Sequence, residues 1–204
     1  NYPVFGQVSD ALRNPFSIYW HASTTSGKMA FGIWRCFNNQ IWYPTGYFTD
    51  FEFTYVANTW YHIVITYTAS DKSCRNYVNG TQIGAAPTLT LLGSNITTGT
   101  QMKLGSYNNN QGVPFDGSID QIRIFNSVLP QAAVTALYNE TTTTATYDYV
   151  EYETPNPNSI AYYKMSDATD QLGNYNGTAT NVNFNTEGKF GFAGAFNGSS
   201  SKID

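Results

Sequence analysis

Apolar and polar positions alternate along most of the chain with a period of two, the spacing that sends successive side chains to opposite faces of a β-strand. The clearest run is Trp60–Thr68, where Tyr61, Ile63, Ile65 and Tyr67 share one face and Trp60, His62, Val64 and Thr66 the other. Both faces are largely apolar, which predicts a central strand. Further strands are predicted at Phe16–His21, Met29–Cys36, Asp50–Val56, Gln101–Gly105 and Ser118–Phe125. Arg75–Gly84 predicts a hairpin, because Asn79-Gly80 supplies the two positive-φ positions of a tight type I′ turn. The helical period is convincing once, over Leu129–Tyr138, where Leu129, Ala133, Val134 and Leu137 form a short stripe and Pro130 suits a first turn. The pattern therefore predicts an all-β chain with one short helix near 129–138.

Composition narrows the class. Charged residues make up 12% of the 204 residues and aromatics 16%, where an ordinary globular chain carries roughly 25% charged residues. Asn, Thr, Gly and Ser fill the difference, giving a neutral, wet surface on a β-rich body. Ten basic against fourteen acidic side chains give a net charge of −4 with no basic cluster, so the footprint of a nucleic-acid binder is missing. No apolar run reaches membrane-spanning length. The chain opens on Asn1 with no charged and apolar leader, which gives the expectation that any targeting signal has been removed.

Cys36 and Cys74 are the minimum for one disulfide and equally two separate buried thiols, since spacing alone cannot place them together. Asn-x-Ser/Thr occurs at Asn79, Asn95, Asn139, Asn176 and Asn197, each a candidate N-glycan acceptor in a secreted chain. Together these favour an extracellular setting, or the surface of a cell or virion.

The order of the elements carries a family resemblance. Strand Trp60–Thr68, hairpin Tyr77-Val-Asn-Gly80, Lys103-Leu-Gly105, Phe115-Asp-Gly-Ser-Ile-Asp-Gln-Ile-Arg-Ile-Phe-Asn126 and a short helix ending Ala136-Leu-Tyr138 together resemble the laminin-G-like, concanavalin-type jelly roll. The resemblance implies an antiparallel two-sheet sandwich. Ala161-Tyr-Tyr-Lys-Met165, Asp170–Gly177, Gly188-Lys-Phe-Gly191 and Ala195-Phe-Asn-Gly198 are similar to the opening segment of that family. Here they come last rather than before Phe16.

This displacement divides the chain into a body (1–138), a Thr- and Pro-containing linker (139–157) and a tail (158–204) that carries the complementing strands. A sandwich without its opening strands would leave an open core and unpaired backbone edges. The tail is expected to close that gap through Ala161, Tyr163, Met165, Phe192 and Phe196. Fully extended, the linker reaches about 60 Å, more than the short turn that self-closure would need. Three arrangements remain open: insertion of the tail into the next copy, building a head-to-tail fibre; continuation into a tandem repeat; or closure of the tail on its own body as a circular permutant. The first two are favoured, with the chain itself as principal partner.

Catalytic signals are sparse. His21 and His62 are the only histidines and both fall within strand patterns, where packing is the commoner role. No nucleophile elbow, zinc-binding helix or phosphate loop is present, and Glu151 and Glu153 fall in the linker. A non-enzymatic protein without a resident cofactor is expected. Two weaker binding possibilities stand beside this. Trp42, Tyr43 and Tyr47 lie in an aromatic stretch suited to a sugar face, or else to a core or interface. Asp170, Asn174 and Asn176, joined by Asp116 or Asp120, offer oxygen ligands for a structural calcium ion, or else ordinary Asx-turn hydrogen bonds. A carbohydrate-binding or adhesion module with a self-closed jelly roll is thus the alternative to a structural, self-assembling one.

Overall fold

The fold is that of a computed structural model, which describes residues 2–8, 17–22, 28–34, 36–37, 40–41, 52–68, 70, 73–84, 101–105, 115–140 and 159–204, with side chains from residue 53 onward except at 74, 101 and 102. The body runs β1 (Tyr2–Val8), β2 (Ser17–Ala22), β3 (Lys28–Trp34), β4 (Cys36–Phe37), β5 (Gln40–Ile41), β6 (Glu52–Thr54), β7 (Ile63–Thr68), β8 (Ser73–Val78), β9 (Thr81–Ile83), β10 (Gln101–Leu104), β11 (Asp116–Ile119), β12 (Ile122–Phe125) and α1 (Gln131–Tyr138). The tail adds β13 (Ser159–Tyr163), β14 (Ala179–Thr180), β15 (Asn183–Glu187), β16 (Phe192–Asn197) and β17 (Lys202–Ile203). Every ladder among them is antiparallel. The mostly-β, antiparallel layout with one short helix is that of a concanavalin-like sandwich.

The largest sheet has the order β14-β17-β10-β1-β2-β3-β6, so its first two strands come from the tail and the rest from the body. Smaller sheets are β11-β16-β15, β12-β13, β7-β8-β9 and β4-β5. The hairpin β8–β9 turns where the dipeptide predicts, with φ of 49° at Asn79 and 78° at Gly80. Against it packs α1, with Val134 buried beside Tyr77 and Leu129. Pro130 stands just outside the helix as its cap, at φ −70° and ψ 158°, rather than within the first turn.

Several strand boundaries differ from the pattern-based expectation: Asp50–Val56 shortens to Glu52–Thr54, Met29–Cys36 becomes Lys28–Trp34 and Cys36–Phe37, and two further differences have a visible cause. The run from Trp60 to Thr68 forms a strand only from Ile63; Tyr61 Oη instead accepts the Val56 N–H at 2.8 Å and Trp60 is 37% exposed. Ser118–Phe125 is two strands, not one, because Gln121 adopts a left-handed φ of 54°. That break hands β11 to β16 and β12 to β13. The sequence carries a trace of it, because the adjacent polar pair Asp120-Gln121 shifts the alternation and puts Ile119 out of phase with Ile122 and Ile124.

Candidate functional site: the seam between tail and body

The tail meets the body along three ladders. Ile122↔Tyr163, Arg123↔Tyr162, Ile124↔Ala161 and Phe125↔Ser159 join β12 to β13, with a register shift between Ile124 and Phe125. Asp116↔Asn197, Gly117↔Phe196, Ser118↔Ala195 and Ile119↔Gly194 join β11 to β16, and Leu104↔Ile203 joins β10 to β17.

Behind these ladders lies the larger buried core. Of its buried members, Leu104 and Ile119 come from the body, whereas Ala161, Tyr163, Met165, Phe196 and Ile203 come from the tail. Without the tail, Leu104 and Ile119 would lose these five buried neighbours. Burying an aliphatic or aromatic side chain contributes about 1.5–3 kcal/mol, so the tail supplies a large part of this core, to which Phe115, Ile122 and Ile124 of the body also pack. Among the residues expected to complement the body, Ala161, Tyr163, Met165 and Phe196 are 2%, 3%, 0% and 3% exposed. Phe192 departs from that expectation. It opens β16 opposite Glu187, within the tail's own hairpin, and is 56% exposed; the buried position beside it is filled by Ala193 instead, which is fully enclosed.

Polar contacts key the same seam. The Asp120 carboxylate at the β11–β12 break accepts the Phe190 N–H at 2.8 Å from the tail's β15–β16 turn. Burial raises its pKa above the usual carboxylate value, opposed by hydrogen bonds that begin with the Phe190 amide. Tyr162 Oη donates to Gln121 Oε1, and the Arg123 guanidinium lies 4.7 Å from the centre of the Tyr162 ring, a cation–π distance. Arg123 also grips Glu140 with both nitrogens, at 2.7 and 2.9 Å. Lys103 Nζ stands 2.8 Å from Asp204 Oδ1.

The tail is also a unit in its own right. The hairpin β15–β16 and the pair β14–β17 are internal to it. Asp170, 1% exposed, binds four backbone amides of the tail: Oδ1 accepts from Tyr162 at 2.8 Å and Leu172 at 3.1 Å, and Oδ2 from Asn174 and Tyr175, each at 3.1 Å. Burial alone would raise its pKa, but these amides outweigh burial and hold it below the usual carboxylate range. Tyr163 Oη donates to the Tyr175 carbonyl, and burial followed by the nearby Asp170 charge pushes its phenol up to about 12.

This geometry bears on the candidate calcium ligands. Asp170 spends its oxygens on amides, Asn174 contributes its backbone N–H, and Asn176 Oδ1 accepts the Asp170 N–H at 3.1 Å. Asp116 is exposed beside Gly198, and Asp120 faces Gly188. Among the described residues no three His, Cys, Asp or Glu side chains converge to hold a metal ion. The arrangement around Asp170 is the Asx-turn one.

The other candidates are dispersed. Asn79 and Asn197 have engaged side chains: Asn79 Oδ1 accepts the His62 N–H, and Asn197 Oδ1 accepts from the amides of Ser199, Ser200 and Ser201. Asn139 caps α1 and is exposed, as is Asn176. Asn95, Trp42, Tyr43 and Tyr47 lie outside the described residues, and the side chains of His21, Cys36 and Cys74 are not among those described. His62 packs 6.0 Å from Tyr138 between ring centres, and burial lowers its pKa.

Lys103, Gly105, Arg123, Glu140 and Asp204 take part in the seam, and no pattern in the sequence singles them out for it. Lys103 alternates with Met102 and Leu104, as a solvent-facing residue of a half-buried strand does, yet it is 2% exposed. No helix among the described residues is long and apolar enough to cross a membrane.

The family described as the Concanavalin A-like lectin/glucanases superfamily, in its laminin G form, matches residues 7–135, more than half of the chain. The match ends within α1, before the linker and the tail. No curated protein and no solved structure matches the chain. With the antiparallel sandwich, the short helix and a match over most of the body, the chain belongs to the laminin G group of the concanavalin A-like lectin/glucanases superfamily.

Proposed function

We propose that this is a non-enzymatic, extracellular structural module whose tail completes the sandwich of a neighbouring copy, so that chains join head to tail into a fibre. The observation that carries the reading is where the linker is rooted. Glu140 is held by Arg123, and Ser159 pairs with Phe125, so both roots abut β12. Eighteen residues, 141–158, lie between them, with a reach of about 60 Å. Exchange of tails between copies keeps every contact of the seam and changes only which chain supplies the tail. Closure of a tail on its own body and exchange with a neighbour therefore differ mainly in the linker. A tether presents the tail at an effective concentration on the order of millimolar, and exchange takes over as chain concentration approaches that value.

The test is sedimentation of chains refolded together over a range of concentrations, with electron microscopy of the concentrated material. The reading predicts mass that grows with concentration and filaments one sandwich thick. A monodisperse monomer up to about millimolar concentration contradicts it.

A second reading, a glycan-binding module closed on its own tail, draws support from the superfamily to which the body belongs. Glycan-array binding that Trp42→Ala abolishes would establish it.

A further inference from the structure

We propose that Asp120 is the specificity-determining residue of the body for the tail, engaging the backbone of the 188–191 turn and fixing the register of β16. This rests on the tail–body assembly proposed above, and the partner recognised is a second copy of this chain. Asp120 Oδ2 accepts the Phe190 N–H at 2.8 Å across 70 residues of sequence. Burial disfavours the charge, and the hydrogen bonds that oppose burial begin with the Phe190 amide, followed by Gln121 of the body and the Lys189 amide of the tail. One carboxylate thus faces two successive amides of one turn.

The turn is shaped to receive it. Gly188 donates its N–H to the Gly191 carbonyl at 2.8 Å, and Gly191 holds a left-handed φ of 74°. A Cβ at Gly188 would stand 2.8 Å from Asp120 Oδ2 and 2.9 Å from the Phe192 carbonyl carbon. The turn therefore approaches the carboxylate at a distance that leaves no room for a side chain.

Asp120 also stands where the two tail ladders part. Ile119↔Gly194 closes the β11–β16 ladder and Ile122↔Tyr163 opens the β12–β13 ladder, with the left-handed Gln121 between them. Gln121 Oε1 accepts the Tyr162 hydroxyl, so each residue of this two-residue step holds a different part of the tail.

Strand pairing leaves a choice of register that Asp120 narrows. A slip of two residues is the smallest that keeps Gly194 and Phe196 on their present face, and it moves β16 along β11 by about 7 Å. The Phe190 N–H then leaves hydrogen-bonding distance. A slipped tail that still covers Asp120 withdraws the turn amides from a partly buried carboxylate, which costs more than the missing hydrogen bond alone. Selectivity of this kind comes from the penalty on the alternative.

The experiment removes the carboxylate and the amide in turn. Full-length variants carry Asp120→Ala; Phe190→Ala, which keeps the N–H; Phe190→Pro, which deletes it; and each Phe190 change combined with Asp120→Ala. Urea denaturation reads the seam, and sedimentation over a range of concentrations reads assembly. Asp120→Ala is expected to lose roughly tenfold to a hundredfold in docking. Phe190→Pro is expected to lose about tenfold more than Phe190→Ala in the parent chain, and the two to agree within about threefold once Asp120 is replaced. A proline deficit of the same size in both backgrounds, or undiminished docking of Asp120→Ala, overturns the assignment. The comparison is repeated in Asp120→Asn, which keeps a neutral acceptor and covers an alanine variant that does not fold. There the deficit is expected to shrink, and an unchanged deficit overturns the assignment equally.

The two measurements separate this assignment from the assembly itself. Coupling between Asp120 and the Phe190 amide in urea, with a mass that stays at one chain at every concentration, leaves Asp120 reading its own chain's tail and overturns exchange. Mass that grows with concentration, without that coupling, overturns Asp120 and leaves exchange standing.

Discussion

Phe196 of the tail lies directly over the backbone of Gly105 in the body: a Cβ placed on Gly105 would stand 2.1 Å from Phe196 Cδ1. Gly105 has a φ of 73°, its carbonyl accepts the Phe115 N–H at 2.9 Å, and the Phe115 and Phe196 rings meet edge to face at 6.1 Å. The body thus ends β10 in a slot that admits the tail's ring only because the residue there has no side chain. Left-handed backbone alone costs a non-glycine residue about 1–2 kcal/mol, and displacement of the ring adds to it. Gly105→Ala is therefore expected to destabilise the docked tail by at least about 2 kcal/mol. Urea denaturation checks this, and an unchanged midpoint would show that the slot does not matter.

Phe196→Ala removes the other half of the same contact. Phe196 is 3% exposed and belongs to the core that the tail dominates. Truncation of a buried phenylalanine costs about 3–5 kcal/mol. Phe192→Ala, at the exposed start of the same strand, is expected to stay within about 0.5 kcal/mol of wild type. Equal losses for the two would contradict the difference in burial between the two ends of β16.

Asp170 holds four amides of the tail as a carboxylate, and its folded pKa lies below the unfolded value of 3.8. Its contribution is fully present above that value and is lost as pH falls through the lower, folded one. Asp170→Asn turns an amide group toward N–H donors and is expected to cost about 2–3 kcal/mol at neutral pH. The variant's stability should also fall less steeply than wild type in acid below pH 3.8. A variant that keeps the wild-type acid slope would show that Asp170 is not its source.

His62 acts in a different window. Burial lowers its pKa from 6.5, with the Glu140 charge opposing burial and the Arg123 charge reinforcing it. The folded state therefore binds fewer protons than the unfolded one just below 6.5, so stability rises with pH up to that value and levels off above it. His62→Gln is expected to flatten the profile between about pH 5 and 7 while leaving the Asp170 slope in place. Urea midpoints across that range provide the check.

How much of this is legible in the sequence follows from what each residue's signal depends on. The hairpin at Asn79-Gly80 and the helix around Val134 rest on local chemistry and appear where the residues predict. That Ala161–Tyr163 and Ala195–Asn197 pair with strands of the body is legible through the resemblance, whereas the strands they take, β12 and β11, are not. Lys103 is not legible, since a polar residue in an alternating strand looks solvated, and the role of Asp120 depends on the break between β11 and β12 and on the tail's Phe190 amide. Phe192 misleads for a different reason: it shares the period-two face of the buried Gly194 and Phe196 but stands at the outer end of β16, opposite Glu187, where it is exposed.

The seam between Lys103 and Asp204 also supplies the most direct measurement of exchange between copies. Chains labelled with heavy isotopes are unfolded with an equal amount of unlabelled chains, refolded at high concentration and treated with a zero-length carbodiimide, which joins an amine to a carboxylate in contact. The cross-linked peptide containing Lys103 and Asp204 is then weighed. Exchange predicts that half of these peptides combine one heavy and one light segment; peptides that are all wholly heavy or wholly light would contradict it.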